Sequence, residues 1–259
     1  MVVKLRRIFF DSMDRYKPSL ELPAGLRPVE KGKRDIFRGK FFQATTDQLV
    51  QMETALLRVG TTETIGSGLF AKIDIPKDAR LFCVQGDEYQ CYEDQEEYTA
   101  NLGERFPSLA PGALLPNAIC VDQQIEPESQ RRVNVWLNPR EDSPLRFLNH
   151  SCNPNTGRLG PYVFVAMKKI QSGEQIAADY SMLEVNSKWS MQCDCGSADC
   201  RHRISSVESL PLEVAERYWP YLPTFIRRIY LRGVGETKRS TAETAIVKKL
   251  RSDITDGFF

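Results

Sequence analysis

The chain lacks any apolar run near the roughly 18 residues that a membrane-crossing helix needs, so no helical span is expected. Its opening stretch, MVVKLRRIFFDSMDRYK, is basic but has no uninterrupted apolar segment, and it does not read as a secretory leader. Net charge is almost absent: 35 Lys and Arg face 34 Asp and Glu, a formal +1. That balance gives no global attraction to nucleic acid or to a membrane surface. Internal repeats and low-complexity tracts are missing too. The seven cysteines are an odd number, and three of them crowd into residues 193–200. This pattern disfavours a disulfide framework and suits an intracellular metal site, so a nuclear or cytoplasmic location is expected.

What is present is a soluble globular composition, 41% hydrophobic and 27% charged, on 259 residues. The length suits one domain with additions or two small domains. Residues 1–54 form a basic N-terminal extension, with eleven Lys or Arg against five Asp or Glu up to Lys40. It is read as a solvated extension rather than an arm for an acidic partner, with one short helix near Thr46–Glu53 capped by Thr46 or Asp47. From ALLRV (55–59) the texture turns to β: short alternating runs are separated by GSG and PKD. Residues 87–131 are acidic, Tyr-bearing and then Pro-rich, and read as an insertion with some helix; NAICVD (117–122) and RRVNVWLN (131–138) resume β patterning, as do PYVFVAMKKI (161–170) and EQIAADYS (174–181). After Arg203, Leu212, Ala215, Tyr218, Trp219, Phe225, Ile226, Ile229 and Tyr230 fall at helical spacing. Pro211 marks a helix start, and a further helix is expected over about Thr241–Lys249. The fold class is therefore mainly β with α additions (α+β).

Three short stretches carry chemistry. CDCGSADC spaces Cys193, Cys195 and Cys200 as C-x-C-x4-C. Thiolates this close need a cation, and tetrahedral Zn2+ with four sulfur ligands at about 2.3 Å is the usual answer. Spacing leaves the fourth ligand open among Cys152, His202, Cys83, Cys91 and Cys120. In IGSGLFA (65–71), Gly66 and Gly68 permit close backbone approach to a ligand. It lacks the G-x-G-x-x-G spacing of a dinucleotide site and is no phosphate loop. SGEQIAADYS (172–181) is a turn and a strand ending in Asp179-Tyr180. Between them lies RFLNHSCNPN (146–155), dense in hydrogen-bonding side chains.

Taken in order, IGSGLFA, a strand ending in Gly86, RFLNHSCNPN, GEQIAADY and C-x-C-x4-C resemble the SET-domain protein-lysine methyltransferases that carry a zinc-binding post-SET tail. The resemblance covers roughly residues 55–203. It implies a SET domain over 55–186, a post-SET zinc segment over 187–204 and a helical C-terminal extension over 205–259. It also implies two bound groups, S-adenosylmethionine (AdoMet) and one structural zinc per chain. Gly66, Ser67, Gly68, Leu69, Asn149 and His150 would line the cofactor, and Cys152 would join Cys193, Cys195 and Cys200 on the metal. Tyr180 would sit where the methyl group passes to the amine, touching the cofactor as well.

Two positions depart from the family. Val84 stands where a channel Tyr is common, and Ala178 where a Phe or Tyr usually limits how many methyls fit. A wider, less polar pocket follows, with Trp136 and Trp189 as further wall candidates. The expected activity is methylation of lysine ε-amines in a protein substrate, with histones a candidate and with two or three transfers accommodated. An AdoMet enzyme of this fold with an unusual or non-protein acceptor is the alternative, and a catalytically weak scaffold is the third. Direct nucleic-acid binding is not expected.

Overall fold

The computed structural model describes residues 55–62, 66–91, 118–125, 127, 129–140, 142–234 and 241–255. The short helix expected near Thr46–Glu53 lies outside the described residues. Twelve strands are present among them. They are β1 (Leu57–Thr61), β2 (Ser67–Ala71), β3 (Arg80–Cys83), β4 (Gly86–Cys91), β5 (Ile119–Ile125), β6 (Arg132–Pro139), β7 (Asn149–His150), β8 (Thr156–Leu159), β9 (Val163–Ala166), β10 (Gln175–Ala178), β11 (Ser190–Gln192) and β12 (Arg203–Ser205). Three α-helices follow: α1 (Leu212–Tyr218), α2 (Thr224–Val234) and α3 (Thr241–Thr255). Mainly β with helices gathered at the C-terminal end is the architecture anticipated from the sequence.

The largest sheet runs in the order β1-β2-β10-β8-β9-β3, with β7 also paired to β10. Strand β10 is the hub. It pairs antiparallel with β2 through Ile176 and Leu69, and parallel with both β7 and β8. Its QIAA run suits this place, because the small Ala177 and Ala178 let three neighbours approach. The motif's last Asn, after Pro154, is explained here. Buried Asn155 donates to the Glu174 carboxylate (2.9 Å) and the Gln175 carbonyl (2.7 Å), and it accepts from the Ala177 amide (2.9 Å). One side chain thus replaces several missing ladder bonds. The core of this sheet includes Leu69, Phe82, Val84, Phe164, Ile170, Ile176 and Ala178, with Phe82 and Phe164 stacked at 4.6 Å.

Of the insertion read at 87–131, residues 92–117 lie outside the described residues. Strand β5 falls on the stretch that NAICVD marks as β, whereas β4 carries strand past Gly86 into the acidic run; both flank β6 in a separate three-stranded sheet. Strand β8 was also not foreseen, because Gly157 and the neighbouring Thr and Arg hide its apolar periodicity.

The C-terminal helices pack on a second core that includes Cys120, Trp136, Met182, Tyr218, Trp219, Ile226 and Tyr230. Gly157 permits this docking: a Cβ there would lie 2.5 Å from the Tyr221 Cβ. The Tyr221 hydroxyl reaches Asp78 at 2.8 Å, and the buried Arg158 guanidinium donates to the carbonyls of Cys120 (3.0 Å) and Pro161. No helix among the described residues is long and apolar enough to cross a membrane.

Candidate functional site

Parallel pairing of β7 with β10 sets Asn149 opposite Ala177 and His150 opposite Ala178, one step before the Asp179-Tyr180 turn. Antiparallel pairing of β2 with the other edge of β10 brings Gly68 and Leu69 to the same end. The Asn149 side chain closes the two edges by donating to the Ser67 carbonyl at 3.0 Å. Gly68 lets three side chains close over this crossing. A Cβ there would meet Gln175 Nε2 and Thr62 Cγ2 at 2.8 Å and Asn149 Nδ2 at 3.0 Å. Gln175 Nε2 is buried without a partner, an orphan donor beside exposed backbone at Gly66 and Ser67. An exposed main-chain edge with a spare amide fits the polar parts of a small ligand such as AdoMet.

His150 is placed differently from a side chain that reaches for a ligand. Its Nδ1 accepts the Tyr180 amide at 3.1 Å, so a neutral ring carries its proton on Nε2, which lies 3.3 Å from Cys152 Sγ. Burial lowers its pKa, with Asp179 opposing and Arg201 adding to the lowering, and the ring is neutral at pH 7. Both nitrogens are engaged, which leaves only its main chain for a cofactor. Tyr180 opens a 3-10 turn (Tyr180–Met182), and its hydroxyl donates to the Leu148 carbonyl at 2.8 Å. Burial raises its pKa, so it stays a neutral phenol whose oxygen still has acceptor capacity.

The thiols converge as the C-x-C-x4-C spacing suggested. Cys152 Sγ lies 3.8 Å from Cys193 Sγ, and Cys200 Sγ lies 3.7 Å from Cys193 Sγ. Cys195 Sγ accepts the Cys152 amide at 3.4 Å. A regular tetrahedron with metal–sulfur bonds of about 2.3 Å has edges of about 3.8 Å, whereas a disulfide would need about 2.05 Å. His150, Cys152, Cys193 and Cys195 have ligand atoms within 4.8 Å of one another, a group that could hold a metal ion. Burial raises the Cys152 and Cys193 thiols; at Cys195 burial works the other way from the amides of Cys152 and Ser197, which bring it down to about 7. Cys83 and Cys120 lie outside this group, Cys120 in the core under the helices.

The proposed wall residues fall in three places. Val84 and Ala178 are buried together in the core of the large sheet, beside Leu145, Leu148 and half-buried Phe147 and Tyr162. Trp189 packs on the thiol cluster with Tyr180. Trp136 belongs to the second core, with Met182, and is not grouped with Val84 and Ala178.

Three residues of this site were not singled out from the sequence. Asp179 is fully buried and receives Arg201 Nη2 at 2.6 Å on both carboxylate oxygens. Tyr218, from α1, donates to the Cys152 carbonyl at 3.2 Å. An Asp closing an apolar strand signals a buried charge that needs a partner. Nothing in spacing assigns that partner to an Arg 22 residues later.

Residues 66–181 match the sequence family described as the SET domain. The probable histone-lysine N-methyltransferase set-23 of Caenorhabditis briggsae is 25% identical over 165 residues, covering 56% of this chain and 58% of that protein. The H3 lysine-36 specific histone-lysine N-methyltransferase of Candida albicans is 28% identical over 156 residues, 56% of this chain and 16% of that protein. Among solved structures, the methyltransferase domain of human SETMAR aligns at 19% identity and a TM-score of 0.41, with 58% of each chain covered. The chain thus spans little more than half the length of the worm relative.

Proposed function

We propose that this chain, whose residues 66–181 are a SET domain, transfers methyl groups from AdoMet to lysine ε-amines of a protein, with histones the first candidates. One observation carries the reading. The Gly66–Leu69 edge, Asn149 and the phenol of Tyr180 are gathered at one end of β10 by strand pairing. The names of the worm and yeast relatives support the acceptor class. A histone acceptor implies a nuclear location.

AdoMet, when bound, supplies a methyl on a positive sulfonium sulfur. Main-chain groups of Gly66, Ser67, Gly68, Leu69 and His150, with the Asn149 amide, would hold it against the end of β10. Tyr180, fixed at both amide and hydroxyl, presents its phenol oxygen and the Leu148 carbonyl to a polarised methyl. The acceptor amine must be neutral to attack, although free lysine has a pKa of about 10.4. Apolar walls at Val84 and Ala178 disfavour the ammonium form. Their small size would leave room for a second or third methyl, with Trp189 as the further wall candidate; Trp136 sits apart from them in the second core. No side-chain base is placed here, so rate comes from alignment.

Cys152, Cys193, Cys195 and Cys200 would hold one structural zinc. The Nε2–H of His150 then serves as a hydrogen-bond donor to Cys152 instead of a fifth ligand, an outer contact that steadies a thiolate.

The test is a labelled-AdoMet assay on histones and cell extract, with mass spectrometry of whatever acquires label. Tyr180→Phe is expected to lower transfer about 100-fold, the scale of losing one oriented polar group. Its AdoMet affinity by calorimetry should hold within about twofold, since the phenol acts on the transition state. Equal activity in mutant and wild type would remove Tyr180 from the mechanism. Label in a small molecule alone would shift the acceptor outside proteins.

A further inference from the structure

We propose that Arg201 is a positioning residue that sets Tyr180 by tying the thiol cluster to the turn on which Tyr180 stands. The inference rests on the assignment of Tyr180 to methyl transfer. Arg201 follows Cys200 directly, and its main-chain N–H donates to Cys152 Sγ at 3.4 Å. Its side chain crosses to the other element, placing Nη2 2.6 Å from both oxygens of Asp179. Asp179 in turn accepts the Ser181 amide at 3.0 Å and caps the 3-10 turn. The carboxylate therefore grips the chain on both sides of Tyr180.

A second route reaches the same turn. Cys152 Sγ faces His150 Nε2, and His150 Nδ1 accepts the Tyr180 amide. Two paths leave one sulfur and converge on residues 179–181. Asp179 is fully buried, so its charge is tolerable only while a cation sits on it. Arg201 supplies that cation although its own Nε is buried without a partner. Without the pair, the turn must shift to hydrate Asp179, and Tyr180 shifts with it. A displacement near 1 Å in an aligned reaction costs about 100-fold in rate.

The experiment uses the full chain with Arg201→Met, which keeps the amide to Cys152 and removes the charge, and with Arg201→Lys. Four quantities are read: zinc per chain, AdoMet affinity, hydrogen exchange by segment, and kcat and KM on the labelled substrate. For Arg201→Met, zinc and AdoMet binding are expected to persist. Exchange should quicken about tenfold or more in residues 179–183 and stay near wild type in 193–200. The kcat should fall about 100-fold with KM nearly unchanged, and Arg201→Lys should recover most of it. Unchanged exchange at 179–183, or equal loosening of 193–200 with loss of zinc, would overturn the proposal. If Arg201→Met fails to fold, Arg201→Gln takes its place, keeping a donor for Asp179 without the charge; wild-type exchange at 179–183 together with wild-type kcat in that variant would equally overturn the proposal. Exchange is read without catalysis, so a wild-type chain that methylates nothing strikes the assigned reaction and not this link.

Discussion

Glu184 shows how much a single carboxylate depends on its surroundings. It lies just past the Tyr180 turn, where its main-chain N–H bonds to the Tyr180 carbonyl at 3.0 Å. Its side chain accepts the Asn186 amide at 2.7 Å. Burial raises its pKa above 4.5, with the amides of Asn186 and Val185 opposing. The folded chain therefore holds this proton more tightly than the unfolded one. Stability from the group is full below the unfolded value and is lost as pH rises through the raised folded value. At neutral pH the charge is a burden. Glu184→Gln keeps an acceptor for Asn186 and removes that charge, so its melting midpoint should exceed wild type at about pH 7.5, and the gap should close towards about pH 4. A gap independent of pH would mean that ionisation is not its source. His150 teaches a related lesson. NHSC marks it as a site residue in the sequence, but only the fold reveals that both ring nitrogens are already used.

At the scale of elements, the strands with plain alternation were legible, as RLFC and RVNVWLN illustrate. The helices after Pro211 were legible for the same reason, since apolar residues recur at helical spacing from Leu212 to Tyr230. Strand β8 was not, because TGRL offers no alternation: Thr156, Gly157 and Arg158 are all buried, on both faces. Its identity comes from neighbours that arrive from distant sequence. Gly157 faces Tyr221 and Met167, and a methyl there would lie 2.5 Å from the Tyr221 Cβ and 3.1 Å from Met167 Cγ. Backbone on one side and a docked aromatic on the other leave little room to relax. Gly157→Ala should therefore destabilise by about 1–3 kcal/mol, as overpacking does. Urea unfolding measures it, and a midpoint equal to wild type would mean that Tyr221 is free to move aside. The variant also tests whether the C-terminal helices are held on the sheet by this contact.

Across the whole molecule, three separate sequence segments meet around Cys152: the NHSC strand, the Asp179-Tyr180 turn and the C-x-C-x4-C loop. The thiol meeting was legible, because clustered cysteines imply a shared ion and the family pattern names the fourth. The charge pairing that accompanies it was not, since Asp179 and Arg201 are ordinary residues until the loop folds over. The separate roles of two cores were hidden as well. One gathers under the large sheet and the other under the helices, with Tyr218 bonding from the second to the Cys152 carbonyl. This division predicts what metal removal does. The structural zinc proposed for Cys152, Cys193, Cys195 and Cys200 would lend its binding energy to folding. Wild type should carry about one zinc per chain, and Cys152→Ser or Cys193→Ser should lose it. Chelation should then free residues 187–204 and loosen Tyr180, read as faster hydrogen exchange there. The helical circular-dichroism signal should persist, because α1 and α2 are held by Ala215, Tyr218, Ile226, Ile229 and Tyr230 and not by thiols. Full metal content in Cys152→Ser would instead place His150 Nε2 on the ion; a neutral ring would then carry its proton on Nδ1, and the Tyr180 amide would lose that acceptor.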